Sequence, residues 1–171
     1  FAPYTISSIT VQQLLSHTSG IVSSNDAEVK KLLSSRSADK TIPMAFNPGT
    51  KWEYNNTNYS LLGFVIEKIT GKSYADYVHE HIFKPAGILH SYVDDDLSII
   101  KNRAAGYRHF KGRFLNSRPS GKIGPAGGML STVEDLFKWI QALKNGVLLK
   151  PATLKQAFIP QKLLNGTATT Y

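Results

Sequence analysis

The chain has 171 residues, with 20 Lys and Arg against 12 Asp and Glu for a net charge of +8, 42% apolar residues and no cysteine. That length and apolar share suit one globular domain with a core of its own. The missing cysteine excludes disulfides and thiolate metal sites, and no stretch approaches the ~20 apolar residues of a membrane-spanning helix.

A basic balance suits an anionic partner such as nucleic acid, a membrane surface or a cell-wall polymer. Here the charges are scattered. The densest run, YRHFKGRFLNSRPSGK at 107–122, reads as a solvated hairpin, and no nucleic-acid recognition motif accompanies it, so no nucleic-acid partner is expected. Phe1 opens no signal-peptide pattern. The chain does not begin with Met, which reads as a trimmed fragment.

The predicted elements are mostly helical. TVQQLLSH (10–17) starts at a Thr10 cap. NDAEVKKLLSSR (25–36) places Glu28 three residues after Asn25, a capping-box pattern, with Val29, Leu32 and Leu33 as its stripe. NTNYSLLGFVIEKITG (56–71) is apolar around most of its circumference, through Leu61, Leu62, Phe64, Val65, Ile66 and Ile69. Such a helix is expected to be central and buried, with Gly71 as a left-handed stop. SYADYVHEHIF (73–83) follows from a Ser73 cap. Residues 104–116 read as a hairpin turning at Lys111-Gly112. STVEDLFKWIQALKNG (131–146) carries a Ser131/Glu134 capping box, an apolar stripe of Leu136, Ile140 and Leu143, and Gly146 as its stop. PATLKQAF (151–158) has Pro at the first helical position. The last residues, NGTATTY, look like the approach to a strand. The count is six or so helices, one hairpin, and no sheet able to cover them.

Self-sufficient catalytic motifs are missing: there is no Walker loop, no G-x-S-x-G elbow and no H-E-x-x-H. His79 and His81 fall on different sides of a helix, a poor metal pair. Asp94-Asp95-Asp96 lacks calcium-loop spacing and reads as a solvated turn. No metal or other cofactor is expected. GPAGG (124–128) reads as a tight turn that lets backbone approach a neighbour closely. Ser16 and His17 are sequence neighbours, which argues against a productive Ser–His pair; a structural histidine closing the helix is the plainer reading. Two S-x-x-K strings occur, Ser37–Lys40 and Ser98–Lys101. At i and i+3 on a helix such a lysine can take the serine proton, but Ser37 lies in a polar, loop-like stretch and Lys101 is not followed by an apolar helix that would desolvate its ammonium.

Four stretches taken together, ITVQQLLSHTSGI (9–21), FNPGTKWEYNNTNYSLLGFVIEKITGKSY (46–74), IFKPAGI (82–88) and GPAGGMLSTVEDLFKW (124–139), resemble the serine β-lactamase-like hydrolases. That family includes class C β-lactamases, D-alanyl-D-alanine carboxypeptidases and related esterases. Its second catalytic motif, Y-x-N, matches Tyr54-Asn55-Asn56 in the setting PGTKWEYNN. The resemblance implies that Tyr54 relays the proton of a nucleophilic serine, and that Asn56 touches the substrate amide and a catalytic lysine. A tyrosine with its ordinary pKa of ~10 is a weak base unless nearby cations stabilise the phenolate.

In the family those cations come from an S-x-x-K lysine upstream of the LLSHTSG segment and from a K-T-G or H-x-G strand beyond the NGTATTY region. Neither falls within these residues. The implied fold is therefore mainly α: residues 1–171 as a helical subdomain of the β-lactamase/transpeptidase-like α/β fold, with a short hairpin and without most of the central sheet. The implied function is that of a serine acyl hydrolase on β-lactam, D-Ala-D-Ala peptide or ester substrates, with the fragment alone inactive. The alternative is a non-catalytic module on the same fold that binds cell-wall peptide. Export is implied by the family. Self-association is expected through helices left bare by the sheet.

Overall fold

The computed structural model describes residues 8–23, 43–95, 97–117, 124–169 and 171. The helix expected at 25–36 and the Ser37–Lys40 pair lie outside the described residues.

Helix α1 (Val11–Leu15) begins where expected. Thr10 Oγ1 accepts from the Gln13 N–H at 3.2 Å, and the Gln13 side-chain oxygen accepts from the Thr10 N–H at 3.0 Å. The two residues thus satisfy two end donors reciprocally. Helix α2 (Asn56–Thr70) is capped by Asn55, whose side chain accepts from the Thr57 N–H, and it stops at Gly71 in the left-handed conformation.

The burial expected for α2 needs correction. Leu61 is buried, but Leu62, Phe64, Val65 and Ile66 are half-buried and Ile69 is 78% exposed. The best-buried positions are Thr57, Asn58, Ser60, Leu61 and Gly63. Only part of this face meets apolar side chains: Leu61 packs with Leu14 and Ile21, while Asn58 bonds the Ser19 and His17 side chains and Gly63 lies against the Pro125 ring. Small and hydrogen-bonding side chains are what such close approach requires.

Helix α3 (Tyr74–Val78) starts from the Ser73 cap as expected. The helix predicted to continue to 83 instead widens into a π-helical turn, His79–Phe83. Its i→i+5 bonds include Lys84 N–H to His79 O and Ile88 N–H to Phe83 O, both 2.9 Å.

Strand β1 (Tyr92–Val93) pairs antiparallel with β4 (Met129–Leu130), and β2 (Gly106–Phe110) with β3 (Arg113–Ser117). The β2–β3 turn is Lys111-Gly112 as expected, both at positive φ, the conformation that tight hairpins favour. From Gly106 to Asn116 every residue of the hairpin is exposed.

Helix α4 (Val133–Lys144) is capped one residue later than the sequence suggested. Thr132, not Ser131, accepts the Asp135 N–H, so the Ser131/Glu134 box does not form. The Ser131 hydroxyl instead meets that of Ser91 at 2.8 Å. Helix α5 (Pro151–Gln156) has Pro in its first turn and ends two residues short of the predicted span. Beyond it the described residues form an isolated antiparallel bridge, Lys162 to Ala168.

Two apolar clusters form the core among the described residues. Leu14, Ile21 and Leu61 join α1 to α2. Val78, Phe83 and Ile88 pack with Trp139 of α4. Asp135 pins the second cluster from within. Its buried carboxylate accepts from the Leu89 and His90 N–H groups, the Ser91 hydroxyl and the Lys138 ammonium. The outer face of α4 leaves Val133, Leu136, Phe137 and Ile140 exposed. No described helix is long and apolar enough to cross a membrane.

Candidate active site

Tyr54 and Asn56 lie where the 43–55 segment enters α2. Asn55 between them is extended, at φ −154° and ψ 116°. Extended backbone alternates its side chains, so residues 54 and 56 share one side and residue 55 faces the other. The contacts follow that rule. The Tyr54 hydroxyl donates to Asn56 Oδ1 at 2.9 Å, while the Asn55 amide donates inward to the Ile21 carbonyl at 2.6 Å. The phenol is 56% exposed, open to a second partner.

Behind this pair runs the segment Ser16–Ile21, buried throughout. It is stitched to residues 43–55 by backbone bonds, among them Gly49 N–H to Thr18 O, Ala45 N–H to Gly20 O and Glu53 N–H to His17 O. A side chain at Gly20 would strike the Phe46 carbonyl, its Cβ lying only 2.0 Å from the oxygen.

His17 is the centre of this stitching. It sits just past the end of α1 at φ 55° and is 1% exposed. Its Nδ1 faces the Asn55 N–H at 3.1 Å and Asn58 Nδ2 at 3.2 Å. A backbone N–H can only donate, so Nδ1 is the acceptor and the ring proton rides on Nε2. Burial holds the histidine pKa below its ordinary value, keeping the ring neutral. The rings of Tyr54, Tyr59 and Tyr171 surround it, with centroids at 4.6, 5.1 and 4.7 Å. Tyr59 donates to the Leu15 carbonyl, and burial, reinforced by Tyr171, pushes its pKa up to about 12. His17 Nε2 and Trp52 Nε1 are buried without a hydrogen-bond partner among the described residues. Tyr59 and Tyr171 also line a cleft of about 450 Å³, together with Leu15, Ser16, Leu149 and Thr153.

The other sequence candidates do not join this site. Ser16 donates to the Gln12 carbonyl and shares a bond with Thr18. Ser98 is held in an Asp95 turn, both its N–H and its hydroxyl donating to that carboxylate. These bonds pull the Asp95 pKa down to about 2. Asp94 pairs with Arg103 through both guanidinium nitrogens. The role of His17 at the Tyr54 backbone was not apparent from sequence. The only available signal was a histidine directly following an apolar helix and leading into a Thr-Ser-Gly turn.

The beta-lactamase family model matches residues 1–170. The chain belongs to the beta-lactamase family. Among curated relatives it is 33% identical, over 141 residues, to Protein flp of Staphylococcus aureus (strain MW2), covering 78% of this chain and 28% of that one. Among solved structures it superposes on a penicillin binding protein from Bacillus halodurans with a TM-score of 0.75 at 26% identity. It superposes on a D-stereospecific amidohydrolase from Streptomyces sp. with a TM-score of 0.72 at 29% identity. Those alignments cover 90% and 91% of this chain but 51% and 52% of the matched chains. The chain thus has the β-lactamase/transpeptidase-like fold of this serine hydrolase family, over about half the length of its structural relatives or less.

Proposed function

We propose that these residues form the helical subdomain of a serine acyl hydrolase, in which Tyr54 and Asn56 are catalytic. The observation that carries the proposal is the Tyr54–Asn56 pair itself: phenol and carboxamide bonded at 2.9 Å, on one side of an extended backbone, with the phenol open to solvent. In that role Tyr54 takes the proton of a nucleophilic serine as it attacks an acyl carbon, then returns it to the leaving group. Asn56 holds the phenol in place and offers its amide N–H₂ to a substrate carbonyl. The serine and the cations that would favour the phenolate come from outside these residues, so the 171-residue chain alone has no covalent route and no acyl-transfer activity.

Substrates are acyl compounds: a β-lactam or a D-amino-acid amide, of the kind the relatives' names indicate, or a D-Ala-D-Ala peptide or small ester. The whole protein is exported and meets such compounds at the cell wall. Labelling the full-length protein with a fluorescent penicillin and an activated ester, and assaying D-amino-acid amide hydrolysis, tests the proposal. A covalent serine adduct with at least one probe is expected. No adduct and no hydrolysis would instead favour a non-catalytic peptide-binding module.

A further inference from the structure

We infer that His17 is the positioning residue for Tyr54: it fixes the backbone on both sides of the tyrosine and backs its ring, so that the phenol faces outward beside Asn56. This rests on the reading of Tyr54 as the proton-relaying residue.

Three contacts converge. The residue before Tyr54 donates its N–H to the His17 carbonyl at 3.0 Å. The residue after it donates its N–H to His17 Nδ1 at 3.1 Å. Between them, the Tyr54 ring lies against the imidazole at a centroid distance of 4.6 Å. The first contact uses backbone and survives any side chain that tolerates the left-handed conformation. The second and third need a flat side chain with an acceptor one bond beyond Cγ.

An apolar residue could fill the same space without burying Nε2–H unpaired, a burial that ordinarily costs stability. What an apolar residue cannot do is accept the Asn55 N–H. Without that acceptor the Asn55 N–H loses its partner, and the extended conformation is held from within only by the side-chain bond to the Ile21 carbonyl. That conformation is what puts residues 54 and 56 on the same side. His17 itself is too buried to touch substrate, and with the Nδ1 lone pair engaged and the proton on Nε2 it has no free lone pair to serve as a base. Its action passes through Tyr54.

The test is a double-mutant cycle on acylation of the full-length protein, read with whichever probe labels it, with thermal melts to confirm folding. His17→Gln, which reaches past the Nδ1 position, is expected to slow acylation roughly 10- to 100-fold, the scale on which a small misplacement of a reacting group acts. His17→Asn places its carboxamide oxygen near the Nδ1 position and tolerates the left-handed backbone; it is expected to recover most of that loss. Added to Tyr54→Phe, His17→Gln is expected to cost little more, because the group it positions is already gone.

Equal losses from His17→Gln with and without the Tyr54 hydroxyl would overturn the inference. So would folded His17→Asn and His17→Gln variants that are equally impaired. If Tyr54→Phe alone acylates at the wild-type rate, the reading of Tyr54 fails, and the role of His17 with it. If Tyr54→Phe is disabled while folded His17→Gln is not, only the inference about His17 fails.

Discussion

Pro125 stands where a side chain on Gly63 would be: a Cβ added to Gly63 would lie 1.9 Å from Pro125 Cγ and 2.4 Å from its Cβ. The contact presses the turn Gly124–Ala126 onto the middle of α2, and with it the strand β4 that follows. Neither partner can yield by rotating a flexible side chain. Gly63→Ala is therefore expected to destabilise the fold by about 1–3 kcal/mol, outweighing the better helix propensity of alanine. A urea titration reads the change as a lower midpoint; an unchanged or raised midpoint would mean that the turn is not held against α2.

Asp135 is almost fully buried and accepts from two backbone N–H groups, a hydroxyl and an ammonium. Burial opposes its ionisation, but the bonds from His90, Leu89, Lys138 and Ser91 outweigh burial and hold its pKa below the ordinary carboxylate value. Its contribution to stability is thus complete above the unfolded pKa of 3.8 and is lost as pH falls through the lower folded value. Asp135→Ala strands two backbone donors and is expected to cost roughly 2–4 kcal/mol at neutral pH. The variant should also show a flatter stability-against-pH curve below pH ~4 than the parent chain.

The neutral imidazole of His17 carries the opposite chemistry with the same sign. Its folded pKa lies below 6.5 because of burial, so between those values the unfolded chain binds more protons than the folded one. Stability should be fully present above pH ~6.5 and fall as pH drops through the folded pKa, below which the loss levels off. Comparing melting temperatures of the parent and His17→Asn from neutral to mildly acid pH isolates this share. The parent is expected to lose more over that interval; parallel curves would mean that His17 is not buried neutral.

On α4 the apolar residues Val133, Leu136, Phe137 and Ile140 remain exposed at 81, 53, 62 and 52%. Faces of this kind rarely stay bare on soluble chains. The 171-residue chain is therefore expected to self-associate with increasing concentration in sedimentation velocity, and Phe137→Glu to return it towards monomer. A chain that stays monomeric at high concentration would show that this face does not drive association.

Much of the local structure was legible because it is set by neighbours in sequence. The caps at Thr10 and Ser73, the stop at Gly71 and the Lys111-Gly112 turn each depend on a few residues with strong conformational preferences. The cap of α4 was not legible, because Ser131 and Thr132 are both good caps. The choice is made by Ser91, which engages the Ser131 hydroxyl from 40 positions away. The π-helical turn escaped for a similar reason, since nothing local in HEHIF calls for a wider coil. The burial pattern of α2 was misread because apolar periodicity reports transfer to a hydrocarbon core. Apart from Leu61, which packs with Leu14 and Ile21, the partners of its innermost residues include polar side chains of the Ser16–Ile21 segment and a proline. At the site, the spacing of Tyr54 and Asn56 was visible, and their bond follows from the extended residue between them. For His17 a structural role at the helix end was visible, but its bond to Asn55 was not, since that reach spans 38 positions and exists only in the folded chain.

The most direct measurement on the central claim is the rate of serine acylation in the full-length protein with Tyr54 and with Tyr54→Phe, followed by rapid quench and intact-mass detection of the adduct. Loss of a proton relay predicts acylation slowed by roughly 100- to 10,000-fold, with the variant's melting temperature little changed because the hydroxyl is exposed. Acylation at the parent rate in a folded Tyr54→Phe protein would contradict it.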